Sequence, residues 1–301
     1  MIENDSLKKS VKWTGKSYGG RFGNACFAFL LRFGVLPAYA LVALVAAFFM
    51  VFRRRQCAES SRYLSRIAGR KVAPISPAVY KHLFSFGISI IDKCAYFSGR
   101  DIKCDDRCKS AIGGVLARGR GCVVVVSHIG GWAISGGELA RYGCPTGVIG
   151  VSQEHEYIDE MFERRRKRAS PKLIATADEP FAMIAALKLL RENGVVALHG
   201  DRYAGGKSAT VELLGSPVRL PTAAYALAAK SGAGILNVFC LRGKSGVYTM
   251  TASTPAFPEN SRGADFDAAS AAYAAEYARQ IETVLRRSPE QWFNFYPFWE
   301  Q

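Results

Sequence analysis

A histidine in a glycine-rich turn is the residue of this chain best suited to chemistry. His128 follows residues 122–126, whose β-branched side chains predict a buried strand, and it precedes Gly130 and Gly131. Two glycines permit a tight turn and let a ligand approach the backbone closely. An imidazole can accept and return a proton near neutral pH. His128 is therefore a candidate general base, and the alternative is a structural histidine held by hydrogen bonds.

A second polar segment follows another predicted strand, residues 195–199. In it, Asp201 could orient an imidazole and Arg202 could bind an anionic group. Residues 205–207, Gly-Gly-Lys, could donate backbone N–H groups to a phosphate. The segment predicts a partner for His128 together with an anion-binding group.

Several familiar motifs are absent. The chain has no GxxxxGK[ST] loop, HExxH pair or EF-hand loop. Its eight cysteines are scattered, and only Cys104 and Cys108 lie close together in sequence, which predicts reduced intracellular thiols. We expect no metal site and no resident cofactor.

The elements that must position these residues alternate between strand and helix. Strands are predicted at residues 122–126, 147–151, 172–176, 195–199, 234–241 and within 243–252. Helices are predicted at residues 132–142, 155–168, 180–193, 221–231 and 265–287, and in two pieces between 57 and 99 that Pro74 and Pro77 separate. This order predicts an α/β fold with a central, mostly parallel sheet flanked by helices. Ligands of such sheets bind at the carboxyl ends of the strands.

An apolar segment precedes this domain. Residues 33–52 carry no charge and are long enough for a membrane helix. Arg53, Arg54 and Arg55 follow, as is typical of the cytoplasmic flank of a membrane segment or of a basic collar for anionic lipids. A buried core helix is the alternative. We expect a basic arm and membrane-anchor helix over residues 1–56 and one α/β domain over residues 57–301.

The charge balance restricts the partners. With 40 Lys+Arg against 25 Asp+Glu, the net charge of +15 calls for an anionic partner, while 49% hydrophobic residues exclude a disordered tail. Nucleic acid, acidic proteins and anionic lipids would all satisfy it. The sequence contains a long apolar helix and no nucleic-acid-binding motif. We therefore expect anionic membrane lipids as partners, and we do not expect nucleic acid.

Taken together, the chain resembles the late lipid A acyltransferases of the lysophospholipid acyltransferase superfamily. The resemblance covers most of the chain: the apolar helix, the strand that ends in Ser-His-Ile-Gly-Gly-Trp at residues 127–132, the Gly-Asp-Arg segment at 200–202, a glycine-proline loop at 214–222, and the aromatic stretch at 291–299. For the site it implies a contribution of Gly130, Gly131 and Trp132 to substrate binding.

The resemblance implies acyl transfer from a thioester, on acyl carrier protein or coenzyme A, to a hydroxyl or amine of a lipid acceptor. The location it implies is the cytoplasmic face of the bacterial inner membrane. In the family a histidine is followed, after four residues, by Asp or Glu, which fixes the tautomer of the histidine base and stabilises the imidazolium. Counting from His128, that position holds Ala133.

Ala133 leaves three alternatives open: an engineered inactivating change that traps a ligand, a natural inactive homologue, or an active enzyme that recruits another carboxylate, such as Asp201 or Glu138. The first is favoured because the rest of the motif is intact. Glu138 is a poor substitute, since it lies about one and a half helical turns beyond position 133. Loss of the orienting acid can cost on the order of 10⁴-fold in turnover. A non-catalytic lipid-binding or scaffold protein of the same fold is the competing function.

Arginines are the candidate anion-binding groups. Arg164, Arg165 and Arg168 lie in a run of five cations and could hold a head group or a phosphorylated carrier, or stabilise an oxyanion. A solvated helix face is the alternative for that run. Arg219, inside the glycine-proline loop, is better placed for an acceptor phosphate.

Overall fold

The computed structural model describes residues 34–150, 172–175, 179–203, 205–259 and 263–300. Their strands are β1 Cys104–Asp106, β2 Cys122–Gly130, β3 Thr146–Gly150, β4 Lys172–Ala175, β5 Val195–His199, β6 Ser208–Leu213, β7 Ser216–Pro221, β8 Gly234–Arg242 and β9 Tyr248–Ala252. Their α-helices are α1 Val35–Phe52, α2 Arg54–Ala68, α3 Pro77–Phe97, α4 Lys109–Leu116, α5 Trp132–Leu139, α6 Glu179–Arg191, α7 Ala223–Ser231 and α8 Gly263–Arg287.

Seven of these strands form the central sheet, in the order β1-β9-β8-β2-β5-β3-β4. Every neighbouring pair is parallel except β8 and β9. The predicted α/β fold with a mostly parallel sheet is confirmed. Strand β2 lies in the middle, and its residues 122–126 are almost completely buried, as expected for a strand covered by helices on both faces.

A separate two-stranded hairpin, β6 and β7, corrects one expectation. Residues 214–222 were expected to form a glycine-proline loop, but most of them belong to strand β7, which pairs with β6. Leu214 and Gly215 make the turn with φ values of 52° and 73°. Two consecutive positive φ values are typical of a type I′ hairpin turn, whose twist matches that of the flanking strands.

The helices largely follow their predicted positions. Pro77 is the first residue of α3, and the Ser76 side chain caps that helix by accepting a hydrogen bond from the Val79 N–H. The helix predicted at residues 132–142 divides into α5 and a short 3₁₀ turn, Ala140–Tyr142. The helix predicted at residues 155–168 lies outside the described residues.

Helix α1 is apolar and long enough to cross a membrane, judged by length and composition alone. One stripe of it, Ala38, Val42 and Ala46, is buried. Gly87 of α3 permits the close approach, because a Cβ atom there would lie 2.4 Å from Val42 Cγ1. The helix thus packs along α3 through a stripe of residues four apart in sequence.

The aromatic segment after α8 closes the carboxyl edge of the sheet. Trp292 and Phe298 are each 1% exposed, and their rings meet edge to face with centroids 4.9 Å apart. A single bridge pairs Trp292 with Ile129 of β2, and the Phe293 N–H donates to the His128 carbonyl at 3.0 Å. This segment is therefore part of the core directly beneath His128.

Candidate active site

His128 lies near the carboxyl end of β2, which is flanked by the parallel strands β5 and β8. In the register of the sheet, Val126 is the partner of His199 on β5 and of Val238 on β8. The β2–β8 register then shifts before Gly130, whose φ is 57°. This irregularity ends the regular ladder and turns the chain at the histidine.

The structure pairs His128 with Asp201. The imidazole Nδ1 lies 2.9 Å from Oδ1 of Asp201, and the His128 backbone N–H donates to Oδ2 at 3.0 Å. Trp292 Nε1 donates to the same Oδ2 at 3.0 Å. The Asp201 side chain is fully buried, whereas that of His128 is 18% exposed. The carboxylate is thus fixed by three donors, and the imidazole reaches the surface.

The charge state of Asp201 follows from these contacts. Burial alone raises the pKa of a carboxyl group, but the neighbouring His128 and Arg202, with the hydrogen bond from the imidazole, hold the pKa of Asp201 well below its usual range. An ionised Asp201 can only accept hydrogen bonds. Nδ1 of His128 therefore carries the proton that lies between the two residues.

His199, the last residue of β5, begins the polar segment that the sequence picks out, but the sequence assigned it no role of its own. Its ring stacks on that of His128 with centroids 4.1 Å apart, and burial lowers its pKa well below the usual value, so that it stays neutral. Its Nε2 is buried without a hydrogen-bond partner among the described residues. The signal that could have found it is the position of His199 at the end of a strand that pairs with β2.

The two glycines after His128 approach the protein's own atoms. A Cβ at Gly130 would lie 2.2 Å from the Cys240 carbonyl oxygen, and one at Gly131 would lie 2.6 Å from the Tyr248 ring. These close approaches are to β8 and Tyr248, and the expected approach of a ligand stays a prediction. Beside them the half-buried Trp132 ring lies 5.9 Å from the His128 ring, centroid to centroid.

Ala133 and Glu138 both lie on α5. Ala133 is the second residue of the helix and has no group that could bind an imidazole. The Glu138 carboxylate accepts hydrogen bonds from the Tyr96 hydroxyl at 2.7 Å and from Arg141 at 3.0 Å. Of the two carboxylates considered for His128, the structure brings Asp201 to the ring and engages Glu138 elsewhere.

Of the five arginines predicted to bind anions, the structure describes two, Arg202 and Arg219. Arg202 donates to the Phe293 carbonyl at 2.8 Å and lies over the Tyr296 ring. Arg219 donates to the Tyr203 hydroxyl at 2.8 Å and to Ser208 Oγ, with its guanidinium 4.0 Å from the Tyr203 ring centroid. Arg164, Arg165 and Arg168 lie outside the described residues. Within the described ranges, no group of three or more His, Cys, Asp or Glu side chains could hold a metal ion.

Comparison with known proteins identifies the family. Residues 27–301 match the model of the bacterial lipid A biosynthesis acyltransferases. The chain belongs to this family. The resemblance seen in its motifs is thereby confirmed over nine tenths of its length.

Curated proteins similar to this chain include phosphatidylinositol mannoside acyltransferases. The protein of Mycobacterium tuberculosis is 29% identical over 128 residues, which are 42% of this chain and 40% of the relative. That of Mycolicibacterium smegmatis is 27% identical over 188 residues, which are 61% of this chain and 58% of the relative. The matches thus span about half the length of these acyltransferases.

Proposed function

We propose that this chain is an acyltransferase that moves a fatty acyl group from a thioester to a hydroxyl or amine of a lipid acceptor. His128 acts as the general base and Asp201 as its orienting carboxylate. The observation that carries the proposal is the 2.9 Å contact between His128 Nδ1 and the buried Asp201 carboxylate. Family membership supplies the reaction class, and the apolar helix α1 supports membrane association.

The chemistry follows from the tautomer. With its proton on Nδ1 and held by Asp201, the imidazole presents an unprotonated Nε2 to the acceptor. Nε2 takes the proton of the acceptor O–H or N–H as that atom attacks the thioester carbonyl carbon. The C–S bond then breaks, and the leaving thiolate takes the proton back from the imidazolium, which Asp201 stabilises in the meantime.

This mechanism does not need a carboxylate at Ala133. Of the three alternatives for that position, we adopt the active enzyme that recruits Asp201. An acid five residues beyond the histidine and an acid that follows the neighbouring strand can perform the same task if either one reaches Nδ1. Asp201 does so by geometry, and its lowered pKa keeps it ionised at neutral pH.

For the acyl donor and the lipid acceptor we propose chemical classes. Acyl carrier protein and coenzyme A are both anionic, and the net charge of +15 favours either. Arg202 and Arg219 are the described candidates for an anionic group of donor or acceptor, with Arg164, Arg165 and Arg168 as further ones. The relatives' name makes a phosphorylated glycolipid one acceptor to test, beside lipid A precursors and lysophospholipids. We place the reaction at the cytoplasmic face of the inner membrane.

A non-catalytic lipid-binding protein is the second candidate, and Ala133 favours it. The test uses the purified full chain in detergent, with acyl-coenzyme A or acyl carrier protein and the acceptor panel, and mass spectrometry of the lipids. We expect acyl transfer by the natural sequence and a loss on the order of 10³–10⁴-fold in Asp201→Asn and in His128→Ala.

Glu138→Gln is the matched control, because it neutralises the rival carboxylate, which binds Tyr96 and Arg141 and not His128. It should keep most of the activity. Transfer that survives Asp201→Asn but fails in Glu138→Gln would refute the assignment. Transfer that begins only in Ala133→Glu would show that the natural sequence is inactive, and no transfer in any variant would favour the lipid-binding protein.

A further inference from the structure

Helix α1 packs antiparallel to α3 along most of its length. The Tyr39 hydroxyl donates a hydrogen bond to Asp92, and Val42 packs against Gly87. The Ala43 carbonyl accepts a hydrogen bond from the Tyr80 hydroxyl at 3.2 Å. Residue numbers therefore fall along α3 as they rise along α1. These polar contacts and the buried stripe from Ala38 to Ala46 attach α1 to the body of the protein over about two turns.

The opposite face of α1 is apolar and exposed. Its large side chains are between 39% and 76% exposed: Leu36, Leu44, Val45, Phe48, Val51 and Phe52. Directly after them come the exposed Arg53, Arg54 and Arg55. Residues 51–56 line an open recess of about 710 Å³ between the end of α1 and the start of α2. An apolar face that ends in three arginines complements a bilayer with anionic head groups.

The orientation of α1 relative to a membrane follows from its packing against α3. Its 18 residues span about 27 Å, close to the thickness of the hydrocarbon core. If α1 crossed the bilayer, α3 would have to enter with it, carrying the buried Asp92 and His82 and the exposed Lys81. Ionisable groups in the hydrocarbon are costly. The packing therefore favours a helix that lies along the membrane surface.

A partly buried polar cluster around Asp92 joins this helix to the edge of the sheet that carries His128. The Asp92 carboxylate accepts hydrogen bonds from the Tyr39 hydroxyl, from Arg242 Nε at 2.8 Å and from the Tyr248 hydroxyl at 2.8 Å. Arg242 is the last residue of β8. Two residues earlier, the Cys240 carbonyl accepts the Gly131 N–H at 2.7 Å, in the turn that follows His128.

We propose that α1 lies in the surface of an anionic bilayer with its apolar face toward the acyl chains, and that the Tyr39–Asp92–Arg242 cluster couples it to the His128 turn. A lipid acceptor could then reach His128 without leaving the membrane surface. Only this last consequence rests on the proposed function.

Membrane binding is tested with the full chain and sedimented vesicles. Vesicles of phosphatidylethanolamine with phosphatidylglycerol should bind the protein more tightly than vesicles of phosphatidylcholine alone. Leu44→Ser combined with Phe48→Ser should weaken binding about tenfold or more, because each side chain buries apolar surface in the bilayer. Unchanged binding would overturn the proposal. So would a dimer in detergent that the same double variant dissociates, since a second copy would then cover the face.

Orientation is tested by protease access to tags at the two termini in sealed inner-membrane vesicles of each orientation. A helix in the membrane surface leaves both tags on the same side, so that one vesicle orientation exposes both. Tags on opposite sides would show that α1 crosses the bilayer and would overturn the proposal.

Coupling is tested by amide hydrogen exchange of the vesicle-bound chain. Tyr39→Phe should accelerate exchange both in α1 and at the end of β8. Tyr142→Phe is the matched control, because it removes a tyrosine hydroxyl from Asp106, at the β1 edge of the sheet, and should leave both segments unchanged. Acceleration confined to α1 would refute the coupling. None of these experiments measures acyl transfer, so failure of the proposed function remains distinguishable.

Discussion

The Trp292 indole holds the Asp201 carboxylate, which we propose orients His128, and its removal is the sharpest test of the candidate site. Asp201 Oδ2 accepts two hydrogen bonds, from the His128 backbone and from Trp292 Nε1, while Oδ1 holds the imidazole. Trp292→Phe keeps an aromatic ring against Tyr63 and Phe298 but removes the N–H donor. The buried carboxylate would then lose one of its three donors.

A hydrogen bond to a charged group contributes about 1.5–3 kcal/mol. We expect Trp292→Phe to lower the free energy of unfolding by about that amount in urea titration. The carboxylate also becomes free to turn from Nδ1, so kcat should fall about 10- to 100-fold with little change in KM. The assay is initial-rate acyl transfer across a range of acceptor concentrations and pH.

The matched control is Trp299→Phe. The Trp299 indole donates to the Leu213 carbonyl at 3.3 Å, on the β6 strand, and makes no hydrogen bond to Asp201. It should cost stability without lowering kcat. If Trp292→Phe unfolds more easily but turns over at the natural rate, Trp292 is a packing residue only and the positioning argument is refuted.

Three other predictions concern stability and packing. Burial lowers the pKa of His82 to about 4 from 6.5, so the unfolded state binds more protons between these values. The free energy of unfolding from urea titrations should therefore fall by about 3 kcal/mol as the pH drops from 6.5 to 4, and by less in His82→Gln. Gly131→Ala should lower the melting temperature and the activity, because its Cβ would lie 2.6 Å from the Tyr248 ring. Calorimetry and rate assays measure the two effects. An unchanged melting temperature and rate would show that the turn adjusts to the methyl group. Gly87→Val should loosen α1 from α3 and speed amide exchange at Val42; unchanged exchange would contradict the close packing.

Much of the sheet could be predicted from the sequence because its strands are short apolar runs separated by amphipathic helices. The same reasoning placed the candidate site residues His128 and Asp201 at one edge of the sheet, since each follows such a strand and parallel strands end at one edge. The sequence named Asp201 as one candidate partner, but the choice between it and the alternatives at Ala133 depends on the pairing of β2 with β5 and on the side-chain directions at their ends. The spacing that the family resemblance implies leads from His128 to Ala133, which has no carboxylate.

Other features depend on long-range packing. The turn at Leu214 uses a positive φ in a residue that rarely adopts it, so the sequence contained no clear hairpin signal. The donor to Asp201, Trp292, lies 91 residues further along the chain. The exposed face of α1 could be distinguished from its buried stripe only after α3 was seen beside it, because the helix carries no charged residue that would mark one face.

The central place of β2 has a consequence for synthesis. Its partners are β5 and β8, which begin at Val195 and Gly234, long after Cys122. At about 5–20 residues per second, β8 leaves the ribosome roughly 6–20 s after β2. Throughout that interval the strand of four valines has an unpaired edge, which is prone to aggregate with other nascent chains. Production of this protein should therefore depend on holding chaperones and on the rate of translation between β2 and β8.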